Sequence, residues 1–161
     1  MVAEGHDVGL HGLDHQRLTR LSRSAVSEHV KKGATRLAAI TGGKPRYFRP
    51  PYGSQNFASF RAVRKQGMES VVWSADCDDW SQHPETHIAK KAVDAASPGA
   101  VLLLHDTLAA DPLDPAVHPN IDRKLMVELV LEGLAARGLR SASMTQLLEQ
   151  GDAHRTMWFR A

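Results

Sequence analysis

Two histidines four residues apart, in the run His11-Gly12-Leu13-Asp14-His15, are the first residues of the chain whose type and spacing could do chemistry. Imidazole nitrogens bind metals, and side chains four apart can lie on one side of a helical turn, so the pair can aim both rings at one ion. Spacing alone does not decide. His83-Pro84-Glu85-Thr86-His87 repeats it at the polar start of an expected helix, where a solvated pair is the plainer reading. What separates the first pair is its company further along the chain. Arg49 and Tyr52 occur in Arg49-Pro50-Pro51-Tyr52-Gly53, Asp76 and Asp79 stand just before Trp80, and His105 precedes Asp106.

Each cluster falls where a strand should end. Asp7-Val8-Gly9-Leu10 reads as the end of a short strand and Arg46-Tyr47-Phe48-Arg49 as a second. Ser70-Val71-Val72-Trp73-Ser74 reads as a buried third, and residues 101–104, the most apolar stretch, as the fourth. In that last strand Leu103 and His105 are two apart and share one side, leaving Leu102 and Leu104 on the other. Helices are expected between the strands. One starts at a Ser24 cap and runs to about residue 40, with Val26, Val30, Leu37 and Ile40 on one face and Gly42-Gly43 at its end. Others are expected over 57–65, closed by Gly67; over 85–96, with Ile88 and Val93 inward; and over 122–137, ended by Gly138, before a short last helix over 145–150. Pro112, Pro115 and Pro119 mark a loop, and residues 1–4 read as the last turn of a helix stopped by Gly5.

Strands and helices alternating through short joints predict a parallel α/β fold, and four strands are too few to close a barrel, so an incomplete one is expected. Each polar cluster has a bland explanation by itself: a rigid turn at Pro50-Pro51, solvated carboxylates at Asp76 and Asp79, a satisfied core histidine at His105. Four clusters in register at the C-terminal ends of strands, the edge where such sheets carry their sites, point to one site instead.

Composition narrows the classes. A length of 161 residues allows one domain with a real core, and 42% hydrophobic with 24% charged residues excludes disorder. The net charge of +2 is scattered, and no basic run with interleaved aromatics suggests a nucleic-acid surface. Cys77 is the single cysteine, so no internal disulfide is possible and the compartment is left open, as is the oligomeric state. No apolar run approaches the ~18 residues of a transmembrane segment, and no signal peptide is visible.

The order HGLDH, RPPYG, DCDDW, LLLHD resembles the second to fifth motifs of the polysaccharide deacetylase family, carbohydrate esterase family four, over residues 5 to 148 or so. The resemblance implies a distorted (β/α) barrel that removes acetyl groups from N-acetylated or O-acetylated sugars of a polysaccharide or oligosaccharide with the help of a divalent metal, zinc being the expected one. It implies that His11 and His15 are metal ligands and that Arg49 holds the catalytic base. It further implies that the backbone N–H of Tyr52 faces the oxyanion, that Asp79 hydrogen-bonds His105, and that His105 protonates the departing amine or alkoxide. Trp80 and Leu103 would line the pocket for the acetyl methyl group. Physical chemistry is consistent with these roles: a metal brings bound water to a pKa of about 7, and a positioned general acid typically contributes roughly 10²–10⁴-fold.

The sequence also departs from the family. A Thr-Phe-Asp-Asp-Gly run, which in the family supplies the base and a third metal ligand, is not present, and Asp78-Asp79 belongs to the fourth motif. The expectation is therefore a partial deacetylase domain over 1–151 with a tail over 152–161, an incomplete barrel lacking its first strand. The alternative is a catalytically silent carbohydrate- or metal-binding remnant. From the missing strand follows an expected exposed edge beside Val8 and Leu10, with self-association. Gly12 stands where the family has Ser or Thr tying the loop between the histidines, so a freer loop is expected.

Overall fold

The computed structural model describes residues 1–107 and 120–160; the loop expected at Pro112, Pro115 and Pro119 lies outside them. The chain divides into two compact units, Met1–Val72 with Ser143–Ala161, and Trp73–Ala142.

In the first unit Leu10 lies parallel to the strand β1 (Tyr47–Phe48): its N–H donates to the Tyr47 carbonyl at 2.8 Å and its own carbonyl accepts from Arg49 N–H at 2.9 Å. The strand β2 (Glu69–Ser70) pairs with β1 in parallel, Tyr47 opposite Glu69 and Phe48 opposite Ser70. Helix α1 (Arg23–Thr41) begins because the Ser22 hydroxyl accepts from Ala25 N–H, so the cap is Ser22 and not the expected Ser24. Helix α2 (Phe57–Lys65) begins at a reciprocal Asn56–Ser59 capping box. Leu10, Leu18, Val26, Val30, Phe48, Val63 and Met68 form the core, with Leu37 at its margin. Ile40, expected inward, is 74% exposed, because the last turn of α1 runs beyond the core.

Both ends of the chain are fastened to this unit. The short helix α5 (Met144–Gln150) is held by Asp7, whose carboxylate accepts from Thr145 N–H at 2.7 Å and from the Thr145 hydroxyl at 2.9 Å. Burial pushes the Asp7 carboxyl up, but hydrogen bonds from Thr145 and Ser143 and the charge of Arg46 outweigh it and hold the group below its ordinary value. Further on, Arg160 forms an antiparallel bridge with Gln55, and Trp158 Nε1–H donates to the Gly53 carbonyl at 2.8 Å.

In the second unit the strands β3 (Ala75–Asp76) and β4 (Leu102–Leu103) are parallel, Ala75 opposite Leu102 and Asp76 opposite Leu103. Helices α3 (Glu85–Ala95) and α4 (Arg123–Ala136) share a core of Cys77, Ile88, Ala89, Ala92, Met126 and Val130. Leu102 and Leu104 pack against that core, as the alternation along the strand predicts. Val93, expected inward, is half-buried, and a Cβ placed on Gly133 would meet its Cγ2 at 2.6 Å. Glycine is therefore what lets this pair approach.

The continuous strand expected over 70–74 is not formed. Val71 N–H still reaches the Phe48 carbonyl at 2.8 Å, but Ser74 and Ala75 N–H both donate to Val101 at 3.0 and 3.2 Å, so the chain changes partner within four residues. The parallel α/β character holds in both units, carried by ladders of two residues each. Among the described residues no helix is long and apolar enough to cross a membrane.

Candidate active site

The predicted residues fall into two groups, one in each unit. In the first unit, His11 leaves the bridge at Leu10 and enters a loop, not the helical turn that the spacing suggested. Left-handed conformations at Gly12 (φ 86°) and His15 (φ 63°) fold the loop so that the two imidazoles meet, Nε2 to Nε2 at 3.2 Å. His11 Nδ1 lies 2.7 Å from the carbonyl oxygen of Arg49. A carbonyl only accepts, so the His11 proton sits on Nδ1 and its Nε2 presents a lone pair, the tautomer a metal ligand needs. Two nitrogens bound tetrahedrally to zinc at ~2.0–2.1 Å are about 3.3 Å apart, close to the spacing here. The pair thus fits two corners of a cation's ligand shell. Among the described residues no set of three His, Cys, Asp or Glu side chains gathers around such a point.

Arg49 and Tyr52 stand beside this pair. Arg49 is half-buried, and burial draws its guanidinium below the ordinary arginine value with no opposing carboxylate contribution among the described residues. Tyr52 sits in the turn Pro51–Gly53 with φ 57°, a left-handed conformation that costs a non-glycine residue roughly 1–2 kcal/mol. Its ring meets His15 edge-on at 4.6 Å and carries the Arg17 guanidinium over its face at 3.9 Å. Strain retained at such a position is characteristic of sites that need an unusual backbone direction.

The second group forms where β3 and β4 end. Asp78, with φ 56°, turns the chain and gives its carboxylate to Lys91, while Asp79 points inward and is fully buried. Asp79 accepts from His105 N–H at 2.6 Å and faces His105 Nδ1 at 2.8 Å. A carboxylate so placed fixes the proton on Nδ1, leaving Nε2 as the imidazole's working atom. Trp80, 40% exposed, stands edge-on to His105 at 5.9 Å. Leu103 is buried and, unlike Leu102 and Leu104, is not among the side chains of the α3–α4 core.

Two residues of this architecture are not among those the sequence singled out. Arg123, in the first turn of α4, donates through Nη1 to Asp79 Oδ2 at 3.1 Å and to the His105 carbonyl at 2.8 Å, and through Nη2 to the Asp79 carbonyl at 3.2 Å. A cation in a helix's first turn opposes the helix dipole unless something pairs with it, and that was the available signal. His29, on the buried face of α1, is the other; a polar residue between Val26 and Val30 was its signal. The decoy pair His83 and His87 is exposed, as read from the sequence.

The profile of the polysaccharide deacetylase family matches residues 1–71. The chain is 35% identical over 105 residues to the peptidoglycan-N-acetylglucosamine deacetylase PgdA of Listeria monocytogenes, covering 65% of this chain and 22% of that protein. It is also 35% identical over 107 residues to a chitooligosaccharide deacetylase of Bradyrhizobium sp., covering 66% and 49%. Among solved structures, the family 4 carbohydrate esterase from Streptomyces lividans, in complex with acetate, superposes with a TM-score of 0.72 at 26% identity over 89% of this chain and 68% of that one.

The chain belongs to the polysaccharide deacetylase family. It spans between about a fifth and a half of the length of these two curated deacetylases. The first group brings two imidazole Nε2 atoms together, and the second holds one imidazole by its Nδ1 against a buried carboxylate.

Proposed function

We propose that the protein hydrolyses acetyl groups from the N-acetylated or O-acetylated sugars of a polysaccharide or oligosaccharide, as a metal-dependent deacetylase with zinc as its expected metal. The observation that carries the reading is the convergence of His11 and His15 at 3.2 Å, with the His11 tautomer set by the Arg49 carbonyl. When bound, the metal supplies polarisation of the acetyl carbonyl and acidification of a water. The remaining work belongs to the chain's own groups. The half-buried Arg49 cation suits a carboxylate base, which it would hold in its ionised form. The Tyr52 backbone N–H would face the oxyanion. His105 Nε2 would deliver the proton to the departing nitrogen or oxygen, held in direction by Asp79. Trp80 and Leu103 offer apolar surface to the acetyl methyl group.

On the same reading the fold is a distorted (β/α) barrel, and the base and a third ligand belong to a first-strand motif that this sequence does not contain. A second reading, a silent metal- or carbohydrate-binding domain, is favoured by the two-histidine donor set. Acetate release from N-acetylglucosamine oligomers, with and without added zinc, separates the two. Zinc-dependent release supports the hydrolase; saturable oligomer binding with no release supports the silent binder.

A further inference from the structure

One buried imidazole has no part in the chemistry above. His29 lies on the face of α1 that carries Val26, Val30 and Gly33 into the core, and its side chain is 8% exposed. Its Nε2 lies 2.9 Å from the backbone nitrogen of Leu13. An N–H donates, so Nε2 accepts, and the ring is neutral with its proton on Nδ1. Leu13 is the middle residue of the loop, two residues from His11 and two from His15.

The loop is closely seated there. A Cβ on Gly12 would lie 3.5 Å from His29 Nε2 and 3.3 Å from Pro51 Cγ. Read from the sequence, Gly12 should leave the loop free; in the structure the tie comes from another element, sixteen residues along. An apolar side chain would satisfy this face of α1 equally well for packing. What the imidazole adds is an acceptor 2.9 Å from the Leu13 nitrogen; the Asp14 carboxylate also faces Nε2, at 3.7 Å, beyond hydrogen-bond distance.

We propose that His29 is a positioning residue for the metal-binding loop: by accepting the Leu13 N–H it holds His11 and His15 at their common point. The inference rests on the reading of that pair as metal ligands. Groups that orient metal ligands are typically worth about 10–100-fold in metal affinity, which sets the size of the effect.

The experiment is zinc titration of the 161-residue chain, followed by the ring-proton signals of His11 and His15, with His29→Leu and His29→Gln beside the wild type. Amide exchange at Leu13 and a thermal melt are recorded for each. His29→Leu should bind zinc at least about tenfold more weakly and exchange the Leu13 amide faster, with the amides of Val26 and Val63 still protected. His29→Gln, whose carbonyl oxygen can accept the same bond, should remain within a few-fold of wild type in both. If the Leu variant does not fold, the Gln variant decides: zinc affinity near wild type with a protected Leu13 amide supports the tie, and a tenfold loss with that amide protected overturns it. Equal zinc affinity in all three proteins, or an equal loss in both variants, also overturns it. A wild type that takes up no zinc overturns the metal-ligand reading instead, and this inference with it.

Discussion

The Arg49 carbonyl oxygen lies 2.7 Å from His11 Nδ1, joining two motifs that are 38 residues apart in sequence. The bond is made by backbone, so it survives substitution of the Arg49 side chain. The His11 ring is thereby oriented by the residue that follows β1, and the Arg49 guanidinium takes no part in that bond. The backbone and side chain of Arg49 are thus separable, and side-chain variants of Arg49 report on the guanidinium alone.

His11 and Asp79 should fail in opposite ways. His11→Ala removes one of two converging nitrogens, so zinc binding is lost first. Asp79→Asn leaves that pair untouched and removes the anion that orients His105, so turnover falls by roughly 10²-fold or more with zinc affinity unchanged. Calorimetric zinc titration together with acetate release, on a form of the protein that releases acetate, measures both. Loss of zinc in Asp79→Asn would show the assignment of Asp79 to His105 to be wrong.

Arg123 neutralises a fully buried carboxylate through a planar fork of donors. Removing one partner of a buried pair leaves a charge uncompensated, so Arg123→Met should cost about 3 kcal/mol in urea unfolding. Arg123→Lys should recover little, because one ammonium cannot reproduce the fork's bonds to Asp79 and His105. A loss below about 1 kcal/mol for Arg123→Met would mean that His105 and the backbone suffice to hold Asp79.

Cys77 gives the stability a pH limb of its own. Burial, reinforced by the charge of Asp79, pushes its thiol up to about 11 from an ordinary 9.0. The folded state therefore holds a proton that the unfolded chain releases, so this contribution is intact below pH 9 and is lost as pH rises toward 11. Denaturation midpoints should fall across that window by an amount on the order of 2 kcal/mol, and Cys77→Ala should flatten the fall. At pH 8 the native thiol should be inert to disulfide reagents and should react on unfolding.

Gly133 makes a prediction whose sign is diagnostic. Alanine in an exposed helix interior usually gains up to about 1 kcal/mol over glycine. Here the new Cβ would stand 2.6 Å from the stiff, β-branched Val93, so Gly133→Ala should instead lose about 1–3 kcal/mol. Adding Val93→Ala should return much of it. A neutral Gly133→Ala single variant would mean that α3 and α4 can separate without cost.

How much of this was legible in the sequence depended on how far each cause acts along the chain. Helix limits were readable because their signals are local: α2 covers 57–65 as expected, and Gly42, Gly67 and Gly138 each adopt the left-handed conformation that closes a helix. The strand ends carrying Arg49 and His105 were readable from apolar runs stopping at polar residues. The buried strand expected over 70–74 was misread twice over: composition does not say which neighbour a backbone bonds to, and residues 70–73 are half-buried with Ser74 exposed. His29 and Arg123 escaped for a related reason. Their partners lie 16 and 44 residues away, and no periodic pattern encodes a single contact at that distance.

The first unit is assembled from both ends of the chain, and this imposes an order of events during synthesis. A ribosome releases residues 73–142 before Ser143–Ala161, so the second unit can fold while the first still lacks a segment. Asp7 waits 138 residues for Thr145, and the Gly53 carbonyl beside Tyr52 waits for the indole of Trp158. The turn that carries the strained tyrosine therefore gains its hydrogen bond from Trp158 only after residues 73–142 have been made.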